Sequence, residues 1–223
     1  MNIKRLTLFT ANLNSIKQFY SQTLGFPIIS SNDQKVVFKT GTTELAFKKQ
    51  KSAKPYHFAF NIPSNQENEA LNWLKDRVKV LEHDGQKIHD FDFWQAKALY
   101  FYDPDNNIVE FIARRKLNKP AKSSFSIKSI ISVSEIGIPT LDIEDVLVTL
   151  EETTRINMYD GNTERFCAIG DEEGLFIVVN RSVKNWFPTD DTANEANFEI
   201  EFSIRNDAHH FYCHSGKLIE IEF

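Results

Sequence analysis

Asp103-Pro104-Asp105-Asn106-Asn107 separates two short stretches, Ala98-Leu99-Tyr100-Phe101-Tyr102 and Ile108-Val109-Glu110-Phe111-Ile112, both rich in aromatic and β-branched residues. Proline presets φ, and short polar side chains bond the nearby backbone, so the segment reads as a tight turn between two strands. Upstream, His57-Phe58-Ala59-Phe60-Asn61-Ile62 alternates as a strand, and Ser64-Asn65-Gln66-Glu67 has the spacing of a capping box opening a helix through Leu71, Leu74 and Val78. The same order stands at the beginning of the chain. Arg5-Leu6-Thr7-Leu8-Phe9-Thr10 alternates, Asn12 is placed to cap a helix with Leu13, Ile16, Tyr20 and Leu24 on one face, and Gly25 stops it. Val36-Val37-Phe38 and Leu45-Ala46-Phe47 then form a hairpin, so two βαβββ units fill residues 1–115.

Residues 116–126, rich in Lys, Ser, Pro and Ala, read as a linker. Beyond it the pattern restarts over residues 127–223. Ser134-Glu135-Ile136-Gly137-Ile138 overlays Lys4-Arg5-Leu6-Thr7-Leu8, and Asp142 caps a helix through Ile143, Val146 and Leu150. Phe211-Tyr212 to Leu218-Ile219-Glu220 mirrors Phe101-Tyr102 to Ile108-Val109-Glu110 across the turn Cys213-His214-Ser215-Gly216-Lys217. The fourth unit, from Phe198 to Phe223, has too few residues between Ile204 and His209 for a helix, which predicts directly joined strands and a thinly covered face. Such a face is compatible with a homodimer.

The string from Asp103 to Glu110 resembles the DPxGNxxE turn and strand of the vicinal-oxygen-chelate superfamily, which comprises glyoxalases, bleomycin-resistance proteins and extradiol dioxygenases. Asn106 stands at the glycine position and still tolerates positive φ. Leu6-Thr7-Leu8, Phe19-Tyr20 and Leu24-Gly25-Phe26 are similar to the first strand and helix of that family, and His57-Phe58-Ala59-Phe60 to its second-unit strand. The resemblance implies an α+β fold of four βαβββ-type units forming two tandem glyoxalase-like half-barrel domains, 1–115 and 127–223, the last unit shortened. In metal-dependent relatives a divalent ion in the cup chelates two oxygens of the substrate.

The family's ligand positions in the first half correspond to Arg5, Ala46, His57 and Glu110, of which His57 and Glu110 can coordinate. A catalytic metal generally needs about three protein ligands, so the expectation is no tightly held ion; Zn, Ni, Mn or Fe is the alternative. Arg5 is expected to face Glu110 and satisfy it in the ion's place. The expected ligand-binding residues are Arg5, Thr7, Glu44, His57, Ala59, Trp94, Tyr102 and Glu110, with Glu110 and Glu44 as candidate proton-moving carboxylates. The matching positions of the second half, Glu135, Phe176, Glu199 and Glu220, contain no histidine, which argues against the iron triad of extradiol dioxygenases. Phe91, Phe93 and Trp94 could wall the first cup and Trp186-Phe187-Pro188 the second. His209, His210 and His214 read as a solvated group beside a turn.

With 41% hydrophobic residues and a net charge of −5, the 223-residue chain can build a sizeable core. Its one basic cluster, Arg114-Arg115-Lys116, reads as a solvated strand end, which argues against nucleic acid as a partner. No apolar run approaches the length of a membrane span, no secretory pattern opens the chain, and Cys167 and Cys213 read as reduced thiols, so the expected address is cytoplasmic. The function expected is binding of a small polar or anionic molecule in the first cup. The alternative is a divalent-metal-dependent lyase, isomerase or ring-cleaving dioxygenase.

Overall fold

A computed structural model describes residues 1–222; the expected end of the last unit at Phe223 lies outside the described residues. The first unit is β1 (Asn2–Thr10), α1 (Leu13–Gln18) continued by a π-helical turn (Phe19–Thr23), β2 (Ile28–Ser31), β3 (Lys35–Thr40) and β4 (Thr43–Lys49). The second is β5 (His57–Ile62), α2 (Glu67–Lys75), β6 (His89–Phe91), β7 (Ala96–Tyr102) and β8 (Ile108–Arg114). The third repeats the order as β9 (Ser132–Thr140), α3 (Ile143–Thr154), β10 (Met158–Gly161), β11 (Phe166–Asp171) and β12 (Gly174–Asn180). The fourth has strands alone, β13 (Phe198–Ile204), β14 (Asp207–His214) and β15 (Lys217–Glu220), with β13 and β14 joined directly as expected.

The units do not pair in sequence order. One sheet runs β15-β14-β13-β1-β4-β3-β2 and so joins the first unit to the fourth. The other runs β10-β11-β12-β9-β5-β8-β7-β6 and joins the second to the third. At each seam the leading strands of two units lie antiparallel, β1 on β13 and β5 on β9. Each half of the chain therefore contributes one unit to each half-barrel.

A single core fills the space behind both sheets. Leu6, Leu8 and Ile200 of one sheet join Phe58, Phe60 and Ile136 of the other in one cluster with Ile16, Leu74 and Val146 of the helices. The helices bridge the sheets: Phe19, just past α1, packs its ring 6.4 Å from Phe101, and α3 touches both β12 and β15. Helix α3 thus covers the back of the helix-less fourth unit, where Leu218 is buried, while Ile219 on the front is exposed.

The fronts differ. Strands β5, β8 and β9 are buried at every position, the pattern of strands covered on both faces. Strand β13 alternates buried with half-buried residues, because the front of its sheet carries charges such as Arg5, Glu199 and Glu201 toward water. The covered front of the second sheet holds a satellite cluster including Ala59, Tyr100, Ile112, Ile177 and Trp186.

Local signals were honoured unevenly. Asp142 caps α3 as expected, accepting from the Asp145 N–H at 3.0 Å. The capping box at Ser64 does not form: α2 starts at Glu67 behind Gln66, without a side-chain cap bond, and ends before Val78. Gln66 is instead drawn to the 116–126 segment, donating to the Ser123 carbonyl at 2.6 Å. Asn12 likewise caps nothing and donates to Asp105 at 2.7 Å, fastening the start of α1 to the turn at 103–107.

Gly41 pins the sheets together at the β3–β4 turn. Its φ is +62°, and an added Cβ would fall 2.0 Å from the Ile131 carbonyl oxygen, which accepts from the Thr42 N–H at 2.8 Å. Gly41→Ala is expected to destabilise the fold by at least about 2 kcal/mol through strain at φ and displacement of this contact, read as a lower urea midpoint at unchanged slope.

Candidate metal centre and its pocket

Register decides which side chains meet. In the second sheet Ala59 lies beside Glu110 on one flank and Glu135 on the other, and Tyr100 stands opposite Glu110. Side chains two apart on a strand share a face, so His57 joins Ala59 on the front. His57, Glu110 and Glu135 thus converge over the small Ala59, all buried, each offering a ligand atom within 4.8 Å of the others.

The histidine is oriented for coordination. Its Nδ1 lies 3.2 Å from the Ile108 carbonyl oxygen, which assigns a proton to Nδ1 and turns Nε2 toward Glu110 Oε2 at 3.5 Å and Glu135 Oε2 at 3.8 Å. Such a cluster is held together by a proton or a cation between Nε2 and the carboxylates. Burial first, and then the Glu135 charge, lift Glu110 well above the usual carboxylate range, opposed by Arg114 and the Tyr100 hydroxyl.

Arg114 completes the floor. Four residues beyond Glu110 on β8, it shares that face, is 0% exposed, and donates from Nη2 to Glu135 Oε1. Its guanidinium lies 5.3 Å from the Trp94 ring centroid, and among the described residues its Nε and Nη1 have no hydrogen-bond partner. The expectation of a solvated basic cluster is therefore corrected. Arg115 pairs with Glu67 at 2.5 Å, and Lys116 lies 3.7 Å from Glu172.

Above the floor opens a cavity of about 640 Å³ walled by aromatic rings. Trp94 and Phe91 come from the second unit, but the cup they wall is shared with the third unit rather than the first. Trp186 and Phe187 fold over the same cavity from the segment after β12, rather than over a separate one. The Trp186 ring lies 5.0 Å from that of His57 and presses on Gly137, where an added Cβ would stand 2.6 Å from the indole.

The remaining expected residues are dispersed. Arg5 does not face Glu110: it lies on the other sheet, bonded to Glu44 at 2.5 and 3.0 Å and to Glu201 at 3.1 Å, because the first unit pairs with the fourth. Arg5, Thr7 and Glu44 are therefore outside this cavity, and Glu44 is already engaged by Arg5. Tyr102 spends its hydroxyl on Asp191 at 2.6 Å. Of Glu135, Glu199 and Glu220, the first reaches the floor; Glu199 lies 3.5 Å from Lys48, and Glu220 lies 3.4 Å from His209. Reading the two halves as separate cups concealed Glu135 as the third member of the cluster. Its overlay on Arg5 as a leading-strand position was the available signal.

These features define a class: a βαβββ half-barrel protein with a buried His-Glu-Glu donor set under an aromatic pocket. The sequence model of the glyoxalase/bleomycin resistance protein/dioxygenase superfamily matches residues 2–111. The metallothiol transferase FosB of Staphylococcus haemolyticus is 30% identical over 116 residues, spanning 48% of this chain and 80% of that protein, and its Staphylococcus epidermidis counterpart is 29% identical over the same length. A putative dioxygenase from Bacillus subtilis superposes over 99% of this chain and 84% of its own, with a TM-score of 0.65 at 12% identity, so all four units share its fold. The chain belongs to the glyoxalase/bleomycin resistance protein/dioxygenase superfamily. No helix among the described residues is long and apolar enough to cross a membrane.

Proposed function

We propose that the protein binds a divalent cation through His57, Glu110 and Glu135 and uses it to hold a small molecule by two oxygens in the pocket above. The observation that carries this reading is the convergence of His57 Nε2 with two buried carboxylates, with Nδ1 fixed on the Ile108 carbonyl. One nitrogen and two carboxylate oxygens suit Zn, Ni, Mn or Fe and meet the three-ligand requirement that His57 and Glu110 alone would miss. The likeness to metallothiol transferases supports a metal-dependent activity. A bound ion would supply Lewis-acid polarisation of the ligand's oxygens.

The chain's own residues contribute the rest. Trp186 and the aromatic walls cover the floor, leaving His57, Glu110 and Glu135 buried. Arg114 holds one oxygen of Glu135 and leaves the other toward His57. Glu110 is the group from which a proton is displaced on cation binding and, in a lyase or isomerase, the one placed to move a proton at the ligand.

A second reading keeps the pocket but not the ion. Arg114 already neutralises Glu135 with a cation of the protein's own, and the site would then bind a polar ligand directly. Elemental analysis separates the two. Protein purified without chelator is expected to carry about one equivalent of divalent metal per chain, lost in His57→Ala and in Glu135→Gln. Protein that neither retains nor takes up any of the four metals would overturn the cation reading.

A further inference from the structure

The mouth of the cavity carries features that neither the fold nor the donor set requires. Phe93 is 96% exposed on its rim, so it contributes nothing to the core. Arg165, just before β11, and Lys184, from the segment after β12, also line the cavity. Neither forms an ion pair among the described residues, although carboxylates are close by. Asp90 is taken by Lys97 at 3.1 Å, and Asp160 accepts from the Trp94 indole at 2.6 Å. The Lys184 ammonium lies 5.7 Å from the Phe166 ring centroid. Burial, and then the neighbouring Arg165, push it below its ordinary range. Two like charges held together without a counter-charge are costly, and a bound anion would relieve both.

We propose that the pocket takes a flat aromatic anion, stacked among Phe91, Phe93 and Trp94, with its acidic group on Arg165 and Lys184 at the mouth. The proposal deepens the reading above and rests on it for one detail, that the opposite, oxygen-bearing edge points to the His57 floor. Ring faces against aromatic walls supply area and orientation, and the cations select charge. Arg114 is 0% exposed and engaged by Glu135, so the cations open to an acid group are those at the mouth.

The test uses 2-naphthoate and its neutral isostere 2-naphthamide as probes, with EDTA present, read by quenching of tryptophan fluorescence and checked by calorimetry. Naphthoate is expected to bind about 10- to 100-fold more tightly than the amide, the worth of a charged hydrogen-bonded contact. Lys184→Gln and Arg165→Gln should each remove most of that preference without changing amide binding. Phe93→Ala should weaken acid and amide alike. Equal affinity for the two probes, an undiminished preference in both cation variants, or no naphthoate binding at millimolar concentration would overturn the proposal. Mn²⁺ binding by the wild-type protein is titrated separately. Failure to bind Mn²⁺ with the acid preference intact would sink the cation reading alone, and Mn²⁺ binding without that preference would sink this inference alone.

Discussion

Arg114→Met, measured in EDTA at neutral pH, is expected to lower the free energy of unfolding by about 3–5 kcal/mol, the usual result of stripping one partner from a buried ion pair. The substitution nearly conserves volume, so packing contributes little. The penalty comes from the buried Glu135 carboxyl, left without its guanidinium beside Glu110 at the floor of the cavity. Two companion measurements isolate that cause. The double variant Arg114→Met/Glu135→Gln should recover more than half of the loss, because no uncompensated charge remains. A saturating divalent cation should recover part of it in the single variant, because an ion at His57 and Glu110 would neutralise the same carboxylates. A urea midpoint for Arg114→Met indistinguishable from wild type would mean that the guanidinium does not hold Glu135 in solution.

Asp103→Ala is expected to cost about 3 kcal/mol, or roughly 6–12 °C in Tm for a chain of this length. Asp103 anchors the turn before β8. One carboxylate oxygen accepts from the backbone N–H groups of Asp105 and Asn107 at 2.9 and 3.0 Å, and the other from the Tyr20 hydroxyl at 2.8 Å and Asn107 Nδ2 at 2.7 Å. Removing the acid strands four donors, with Tyr20 and Asn107 fully enclosed. Asn107 in turn accepts from the Tyr56 N–H, next to His57, so the turn also positions the histidine of the buried cluster.

The same group gives the protein a pH dependence of defined sign. Burial raises Asp103 to about 6, against an ordinary value of 3.8, with its four donors opposing the rise. Between those values the folded state keeps a proton that the unfolded chain has released. Stability therefore increases as pH falls from above 6 toward 4, with a slope of at most about 1.4 kcal/mol per pH unit from this one group. Asp103→Asn should flatten the profile in that window relative to wild type. Glu110 titrates in the same sense in both proteins, and the difference between them isolates Asp103. An unchanged profile would show that the carboxylate stays ionised throughout, held by its donors.

Much of the fold was written in local sequence. The turn at 103–107, with Asn106 at φ +60°, followed from residue chemistry, as did the Asp142 cap and the absence of a helix in the last unit. Two of the three residues of the buried cluster were legible too, because His57 and Glu110 sit in strands whose motifs the family shares. Arg114 was misread for a physical reason: a charged triplet at a strand end is ordinarily solvated, and its burial depends on a carboxylate 21 residues away.

The sequence by itself determined the units: their order, their strands and helices, and the donors each one carries, since these depend on short-range periodicity and turn chemistry. Only the tertiary structure decided which units share a sheet. Pairing the first with the fourth and the second with the third separates Arg5 from Glu110 and sets Glu135 beside it. Each unit offers a similar leading strand to any other, so the choice rests on the sum of packing behind both sheets, and no local pattern encodes that sum.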